Sequence, residues 1–285
     1  MRRLSLQSPA KVNLYLKVIH KRKDGFHNIV TLFERINLFD KIFLTINLTG
    51  DIRIKCNHPD VPTNNKNLVY KVAELLKNDF RVKAGVDIKI DKRIPVAAGL
   101  AGGSSNAATV LSGLNQLWSL KLNRDQLLTY ARKVGSDVAF FLYDTSWALG
   151  TERGDKITPL NIPAQLWHIL VVPRVKMYSR KVYGAVKLQL TSRNDNVNIL
   201  IHHLRKNDIF DLSHLIENDL ESVIIRQAPQ LLRLKEKLES LNTQGVMISG
   251  SGPAVFGLLP GKNEGMKVKS VLQKQFNQVY VVRTF

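Results

Sequence analysis

The chain has 285 residues, 44% of them hydrophobic, which is enough to bury a sizeable core in one or two domains. No run of about twenty apolar residues occurs, so no stretch reads as a membrane-spanning helix. The opening Met1-Arg2-Arg3 stretch lacks a signal-peptide core, because Ser5, Gln7, Ser8 and Lys11 interrupt it. Lys and Arg number 42 against 23 Asp and Glu, a formal charge of +19 at pH 7 that suits nucleic acid or phosphorylated small molecules alike. The basic residues are spread along the chain rather than gathered in an arm, and the strand aromatics of an RNA-binding module are missing. The single cysteine, Cys56, excludes an internal disulfide and a cysteine-built metal site, and fits a reducing cytoplasm.

In chain order, Val12–Ile19, Lys41–Asn47, Ile52–Cys56 and Val86–Asp91 read as strands, separated by Lys23-Asp24-Gly25 and Thr49-Gly50-Asp51. Asn67–Lys77 has helical spacing, with Leu68, Val72, Leu75 and Leu76 on one face. The Ala- and Leu-rich run Ser104–Trp118 reads as a second helix, and Arg124–Val134 as a third with Asn123 as its N-cap. The texture changes near Thr158-Pro159-Leu160, where a domain boundary is expected, dividing the chain into residues 1–159 and 160–285. Beyond it, Trp167–Val172 reads as a strand and Arg180–Leu188, Asp211–Glu217 and Pro229–Leu241 as helices. Val246–Ile248, Ala254–Leu259 and Gln278–Arg283 follow as strands, with a helix at Met266–Phe276. The expected class is α+β.

Four stretches carry chemistry. Pro95-Val96-Ala97-Ala98-Gly99-Leu100-Ala101-Gly102-Gly103-Ser104-Ser105 leads a β-like run into a helix. A glycine-rich backbone at a helix N-terminus presents unpaired N–H groups and the positive end of the dipole, and phosphate is the usual occupant. Ser104 and Ser105 add hydroxyls that can reach a phosphate-bound Mg²⁺, or Ser104 can simply cap the helix. The loop is neither a P-loop, since no Lys follows Gly103, nor a dinucleotide fingerprint, and no protein-kinase signature is present. Lys11 stands in the run Ser8-Pro9-Ala10-Lys11-Val12-Asn13-Leu14, on one strand face with Asn13, either partly buried or as an edge lysine in solvent. Asp137 precedes the apolar run Val138–Leu142 and reads equally as an N-cap. Ser249-Gly250-Ser251-Gly252-Pro253 reads as a turn between two strands.

The order and wording of these stretches resemble the GHMP-superfamily kinases: Pro-Ala-Lys-Val-Asn-Leu at residues 9–14, then Pro-x-x-x-Gly-Leu-x-Gly-Gly-Ser-Ser-Asn-Ala-Ala from Pro95, then Ser-Gly-Ser-Gly-Pro from Ser249. Lys11–Leu16 together with Lys23-Asp24-Gly25-Phe26-His27 is similar to the subgroup that phosphorylates the 2-hydroxyl of a cytidine-diphosphate-linked methylerythritol in the non-mevalonate route to isoprenoids. The resemblance implies two domains, an N-terminal one of the ribosomal-protein-S5-domain-2-like kind and a ferredoxin-like C-terminal one, with a cleft between them. It also implies ATP held by Pro95–Ser105, Asp137 as general base, Lys11 stabilising charge on the hydroxyl and γ-phosphate, and Asn13 orienting the substrate. Phe26 and His27 match the family's cytosine site, and Tyr183 stands where a second aromatic sandwiches the base. Mg²⁺ is implied with ATP, with no carboxylate pair to assign and Ser105 as the nearest guess for a contact.

Three departures stand out. Ala101 replaces a frequent Gly, which is compatible with a negative φ. Ala139 replaces a proline, and Glu152 and Asp155 stand where Gly and Glu are common. A GHMP kinase acting on homoserine or mevalonate would lack a reason for Phe26-His27. A basic RNA-binding protein would account for the charge but not for Lys11, Asp137 and the loop occurring together, so no nucleic-acid partner is expected.

Overall fold

Buried charges, not only apolar alternation, shape the first strands. In the computed structural model, which describes residues 2–186, 196–208 and 212–285, the strand expected at Val12–Ile19 is longer: β1 runs over Arg3–Lys21, and Ala10 through Val18 are buried without a break. The run Lys41–Asn47 is the second half of β2 (His27–Asn47). Its first half was not legible as a strand because Glu34, Arg35 and Asp40 interrupt the apolar pattern. All three are nonetheless buried. Glu34 shows how: its carboxylate accepts from His168 Nε2 at 2.9 Å and from the Thr284 hydroxyl at 2.6 Å.

The chain continues through β3 (Ile52–Cys56), α1 (Leu68–Asp79), β4 (Gly85–Asp91), α2 (Gly102–Leu117) and α3 (Arg124–Val134). Asn67 caps α1 through the Val69 N–H, and Asn123 with Gln126 forms a full capping box on α3. A 3₁₀ helix covers Ser136–Leu142, followed by β5 (Trp147–Thr151) and β6 (Lys156–Leu160), a hairpin that the sequence did not announce. Then come β7 (Trp167–Val171), α4 (Ser179–Gly184), α5 (Asn196–Arg205), a short 3₁₀ turn at Leu212–His214, β8 (Glu217–Asn218) and α6 (Glu221–Gln227). The chain ends in α7 (Gln230–Glu239), β9 (Gln244–Ile248), β10 (Val255–Leu259), α8 (Lys262–Leu272) and β11 (Val279–Arg283). The expected helix at Asp211–Glu217 is replaced by that 3₁₀ turn and β8, with Asp211 itself outside the described residues. The helix read from Arg180 extends in the described residues to Gly184, and Lys187 and Leu188 lie outside them. Among the described residues no helix is long and apolar enough to cross a membrane.

Two compact units interleave along the chain. The first comprises Met1–Ala10, Leu38–Val96 and Ala101–Asp144; the second comprises Lys11–Asn37, Ala97–Leu100 and Thr145–Phe285. In the first, β3 lies parallel to β4, and β4 pairs antiparallel with the second half of β2, from Lys41↔Asp91 to Asn47↔Gly85. Helices α1, α2 and α3 belong to this unit, with Val72, Leu76, Leu111 and Leu114 fully buried or nearly so. In the second, the first half of β2 pairs with β5, and β1 runs parallel to β8 through Tyr15↔Glu217 and Leu16↔Asn218. A separate antiparallel sheet has the order β11-β7-β10-β9. Its core includes Ile169, Val171, Ile224, Leu231, Ile248 and Val255.

Candidate active site

The glycine-rich stretch forms the start of α2. The helix begins at Gly102, two residues before the expected Ser104, and the N-cap is Ala101 with no side-chain cap bond. Ser104 therefore lies inside the first turn and does not cap it. The Ser105 N–H is the first to find a helical acceptor, Ala101 O at 2.9 Å. A Cβ built on Gly103 would meet nothing within 4 Å, so the space over the first turn is open. Orphan N–H groups, the helix dipole and open space above them make an anion cradle. Before it, Pro95 is buried, Val96 is half-buried, Ala97 is exposed at the tip, and Ala98 and Leu100 are buried again.

The backbone of this loop enters the left-handed region in three places. Gly99 has φ +78°, and Ala97 and Ala101 have φ +54° and +53°. The expectation of a negative φ at Ala101 is corrected: the alanine sits in the left-handed region, where a Cβ costs about 1–2 kcal/mol. Glu152, the other non-glycine at a position where the family commonly has glycine, has φ +58°. Both departures thus keep a glycine-like backbone.

Ser105 also differs from expectation. Its side chain is fully buried and shares a hydrogen bond of 2.8 Å with the Ser8 hydroxyl. The Ser8 hydroxyl in turn accepts from Asn106 Nδ2 at 2.9 Å, and the same amide donates to Asp40 Oδ2 at 2.9 Å. Asp40 also takes the Lys92 ammonium at 2.6 Å and the N–H groups of Arg93 and Ile94 at 2.7 and 2.8 Å. One carboxylate, fully buried, therefore ties the run into the loop to the first turns of α2. Ser105 belongs to this inner network, and Ser104 is the hydroxyl on the more open side. Burial pushes the Lys92 ammonium below its usual range, with the Asp40 charge opposing the shift.

In the second unit, Lys11 and Asn13 are buried neighbours on β1. The alternative of a solvent-facing edge lysine does not hold. Lys11 Nζ donates to Asn13 Oδ1 at 2.6 Å and to Gly99 O at 3.1 Å, and lies 5.6 Å from the centre of the Phe33 ring. Ser249 Oγ donates to the same Gly99 carbonyl at 3.2 Å. The Ser249–Gly252 turn packs close: a Cβ at Gly99 would sit 2.1 Å from Ser249 O, and one at Gly250 3.0 Å from Asn13 Oδ1. Asn218 braces this turn by donating to Ile248 O and Gly250 O, both at 2.8 Å, and Glu221 accepts the Ile248 N–H at 3.0 Å. The hairpin-like stretch is thus a packed wall beside Lys11. Asn218 and Glu221 also line a cavity of about 500 Å³, together with Lys235 and Val246.

Asp137 belongs to the first unit. It lies in the first turn of the 3₁₀ helix whose cap is Gly135, so the reading of Asp137 as N-cap is not what the backbone shows. It is half-buried and accepts from Ser136 Oγ at 3.4 Å. Ala139, in place of the family's proline, is fully buried in the same helix.

The β1–β2 connection, also in the second unit, places Phe26 and His27 differently. Phe26 is 54% exposed, and the Arg153 guanidinium lies 5.2 Å from its ring centre, held by Asp155 at 2.5 Å. Arg153 was not singled out from sequence; it stands within the glycine-containing turn between β5 and β6. His27 is buried and stacked on Tyr183, with ring centres 5.6 Å apart and planes 30° from parallel. Tyr183 therefore partners His27 directly. Burial, aided by the Lys21 charge, lowers the His27 pKa from its ordinary 6.5, which keeps the imidazole neutral at pH 7.

The profile described as GHMP kinases N terminal domain matches residues 67–145, and that for GHMP kinases C terminal matches residues 200–278. The 4-diphosphocytidyl-2-C-methyl-D-erythritol kinase of Geobacillus kaustophilus is 41% identical over 282 residues, covering 99% of this chain and 97% of that protein. The chain belongs to the 4-diphosphocytidyl-2-C-methyl-D-erythritol kinase family of GHMP kinases. A crystal structure of 4-(cytidine 5'-diphospho)-2C-methyl-D-erythritol kinase superposes on it with a TM-score of 0.83 at 30% identity, covering 99% of this chain and all of the other. A homoserine kinase from Cytophaga hutchinsonii shares the fold, with a TM-score of 0.74 and 20% identity over 99% of this chain and 94% of that one. The fold is thus the two-domain GHMP kinase fold expected from the sequence.

Proposed function

We propose that this chain transfers the γ-phosphoryl group of ATP to the 2-hydroxyl of 4-diphosphocytidyl-2-C-methyl-D-erythritol, giving the 2-phosphate and ADP in the non-mevalonate route to isoprenoids. The observation that carries the reading is identity of about two residues in five to kinases of that name over nearly the whole of both chains. The uncapped, open N-terminus of α2 supports the ATP half. Within this reading, residues 1–159 form the N-terminal kinase domain and residues 160–285 the C-terminal one. The cytoplasm, with its ATP and reducing conditions, is the proposed location.

The roles follow from chemistry. Asp137 takes the proton of the attacking hydroxyl, and Lys11 stabilises the charge that develops on that oxygen and on the γ-phosphate. Phosphoryl transfer asks chiefly for positioning and charge neutralisation. The N–H groups of Gly102, Gly103 and Ser104 bind phosphate oxygens. Mg²⁺ travels with ATP and neutralises phosphate charge; Ser104, whose hydroxyl is not locked in the inner network, is its proposed protein contact. Asn13 orients the substrate, Phe26 offers an exposed ring for the cytosine to stack on, and neutral His27, held by Tyr183, has a ring nitrogen for the base edge.

The reading is tested by incubating the protein with ATP, Mg²⁺ and, separately, the cytidyl substrate, homoserine and mevalonate, while following ADP. Turnover with the cytidyl compound alone is expected. The Asp137→Asn variant should bind ATP as before and lose about 10²-fold or more in rate. Turnover of homoserine or mevalonate in preference would give the protein a different substrate, and a wild-type rate in the variant would remove Asp137 as base.

A further inference from the structure

Thr31 is a buried hydroxyl with no part in the roles above, yet it lies on a directed chain of hydrogen bonds that starts at Lys11 and ends at Tyr15 O. Its side chain is fully buried on β2, paired in register with Gly150 of β5. The single hydroxyl proton is committed: Thr31 Oγ1 donates to Tyr15 O at 2.7 Å. With that proton used, Oγ1 faces Asn13 as an acceptor only, and Asn13 Nδ2 donates to it at 2.7 Å. An amide has two orientations, and this contact selects one. Nδ2 turns toward Thr31, so Oδ1 turns toward Lys11 and accepts its ammonium at 2.6 Å. The opposite orientation would set an NH₂ against an ammonium and an amide oxygen against a hydroxyl oxygen whose proton points away.

We infer that Thr31 is a positioning residue for the phosphoryl transfer: it fixes the Asn13 amide, and through it the place of the Lys11 ammonium. The inference rests on the reading of Lys11 as the charge-stabilising group. The surroundings favour transmission of small displacements. Lys11 and Asn13 are almost fully buried, and Lys11 has Gly99 O and the Phe33 ring as further fixed neighbours. Gly150 makes room for the arrangement, because a Cβ there would lie 2.6 Å from Phe33 and 3.0 Å from the Thr31 methyl. A shift of an ångström at a reacting centre is enough to cost orders of magnitude in rate.

The test uses Thr31→Val, which keeps the shape and removes the hydroxyl, beside Thr31→Ser, which restores it. The valine variant should lose roughly ten-fold in kcat with the KM for ATP within about two-fold, and serine should recover most of the loss. On an Asn13→Ala background, Thr31→Val should change kcat no further, since Thr31 acts through that amide. If the valine variant does not fold, Thr31→Cys, close in volume and a poor acceptor, should fall below the serine variant. Wild-type kcat in the valine or cysteine variant, or a full additional loss on the Asn13→Ala background, overturns the inference. Lys11→Met is the separate control: if it retains wild-type kcat, the reading of Lys11 falls, whereas an inactive Lys11→Met with an active Thr31→Val removes only the role of Thr31.

Discussion

Replacing Asp40 by asparagine probes what holds the glycine-rich loop in shape. The Asp40 carboxylate is fully buried, faces a Lys92 side chain only 4% exposed, and takes three further N–H donors from both sides of the loop. Asparagine keeps an oxygen for the Arg93 and Ile94 N–H groups but removes the charge, leaving the ammonium buried and uncompensated. Breaking such a pair costs about 3–5 kcal/mol. With about 2–4 °C of melting temperature per kcal/mol for domains of this size class, the midpoint should fall by roughly 6–20 °C. The loss should depend on pH. Burial already lowers the Lys92 pKa while Asp40 opposes it, so in the variant the main opposing charge is gone and the folded pKa falls further below the unfolded one. The unfolded state then binds the extra proton, and the variant's stability rises with pH as Lys92 is released from its charge. Urea unfolding of wild type and variant at neutral and alkaline pH measures this directly. A loss under about 1 kcal/mol at neutral pH, or one that does not shrink at alkaline pH, refutes the reasoning.

Gly99→Ala should abolish ATP binding or prevent folding, because its Cβ would lie 2.1 Å from Ser249 O and its φ is +78°; nucleotide titration and a melting curve decide it, and a wild-type variant would show that the loop does not need this contact. Phe26→Ala should raise the KM for the cytidyl substrate far more than that for ATP, consistent with about 1–3 kcal/mol of stacking on an exposed ring. Equal effects on both would remove Phe26 from the base site. The lowered His27 pKa means that the unfolded chain takes up a proton near pH 6.5 before the folded one does, so stability is lost as pH falls below that value. His27→Gln should flatten that part of the stability profile, and an unchanged slope would assign it elsewhere.

Much of the architecture was legible where the sequence carries local signals. The Asn123 cap, the spacing of α1 and the strands β7, β10 and β11 match the sequence reading nearly to the residue. What escaped has physical causes. The first half of β2 carries Glu34, Arg35 and Asp40, whose burial depends on partners far along the chain such as His168, Thr284 and Lys92. The β5–β6 hairpin turns through Glu152 at φ +58° and Gly154, a turn that glutamate disguises. Helix α5 did show Val197, Leu200, Ile201 and Leu204 at helical spacing and could have been read. Helix α6 is short, with a β-branched run Val223-Ile224-Ile225 that reads as strand. Of the proposed site residues, the motif wording offered the loop, Lys11, Asn13, Asp137, Phe26 and His27. It could not show that Ser105 faces inward to Ser8, since that depends on how the helix is rotated about its axis. Nor could it reveal Asp40, Arg153 and Thr31, whose importance lies in contacts across β-strands and turns.

The central claim is transfer of a phosphoryl group to a hydroxyl of the cytidyl substrate, rather than hydrolysis of ATP. Phosphorus NMR of a reaction containing the protein, ATP, Mg²⁺ and 4-diphosphocytidyl-2-C-methyl-D-erythritol follows both partners at once. A new phosphate monoester resonance should grow in step with ADP while the cytidine diphosphate linkage persists. ADP accompanied by inorganic phosphate and no monoester, or no ADP at all, would contradict it.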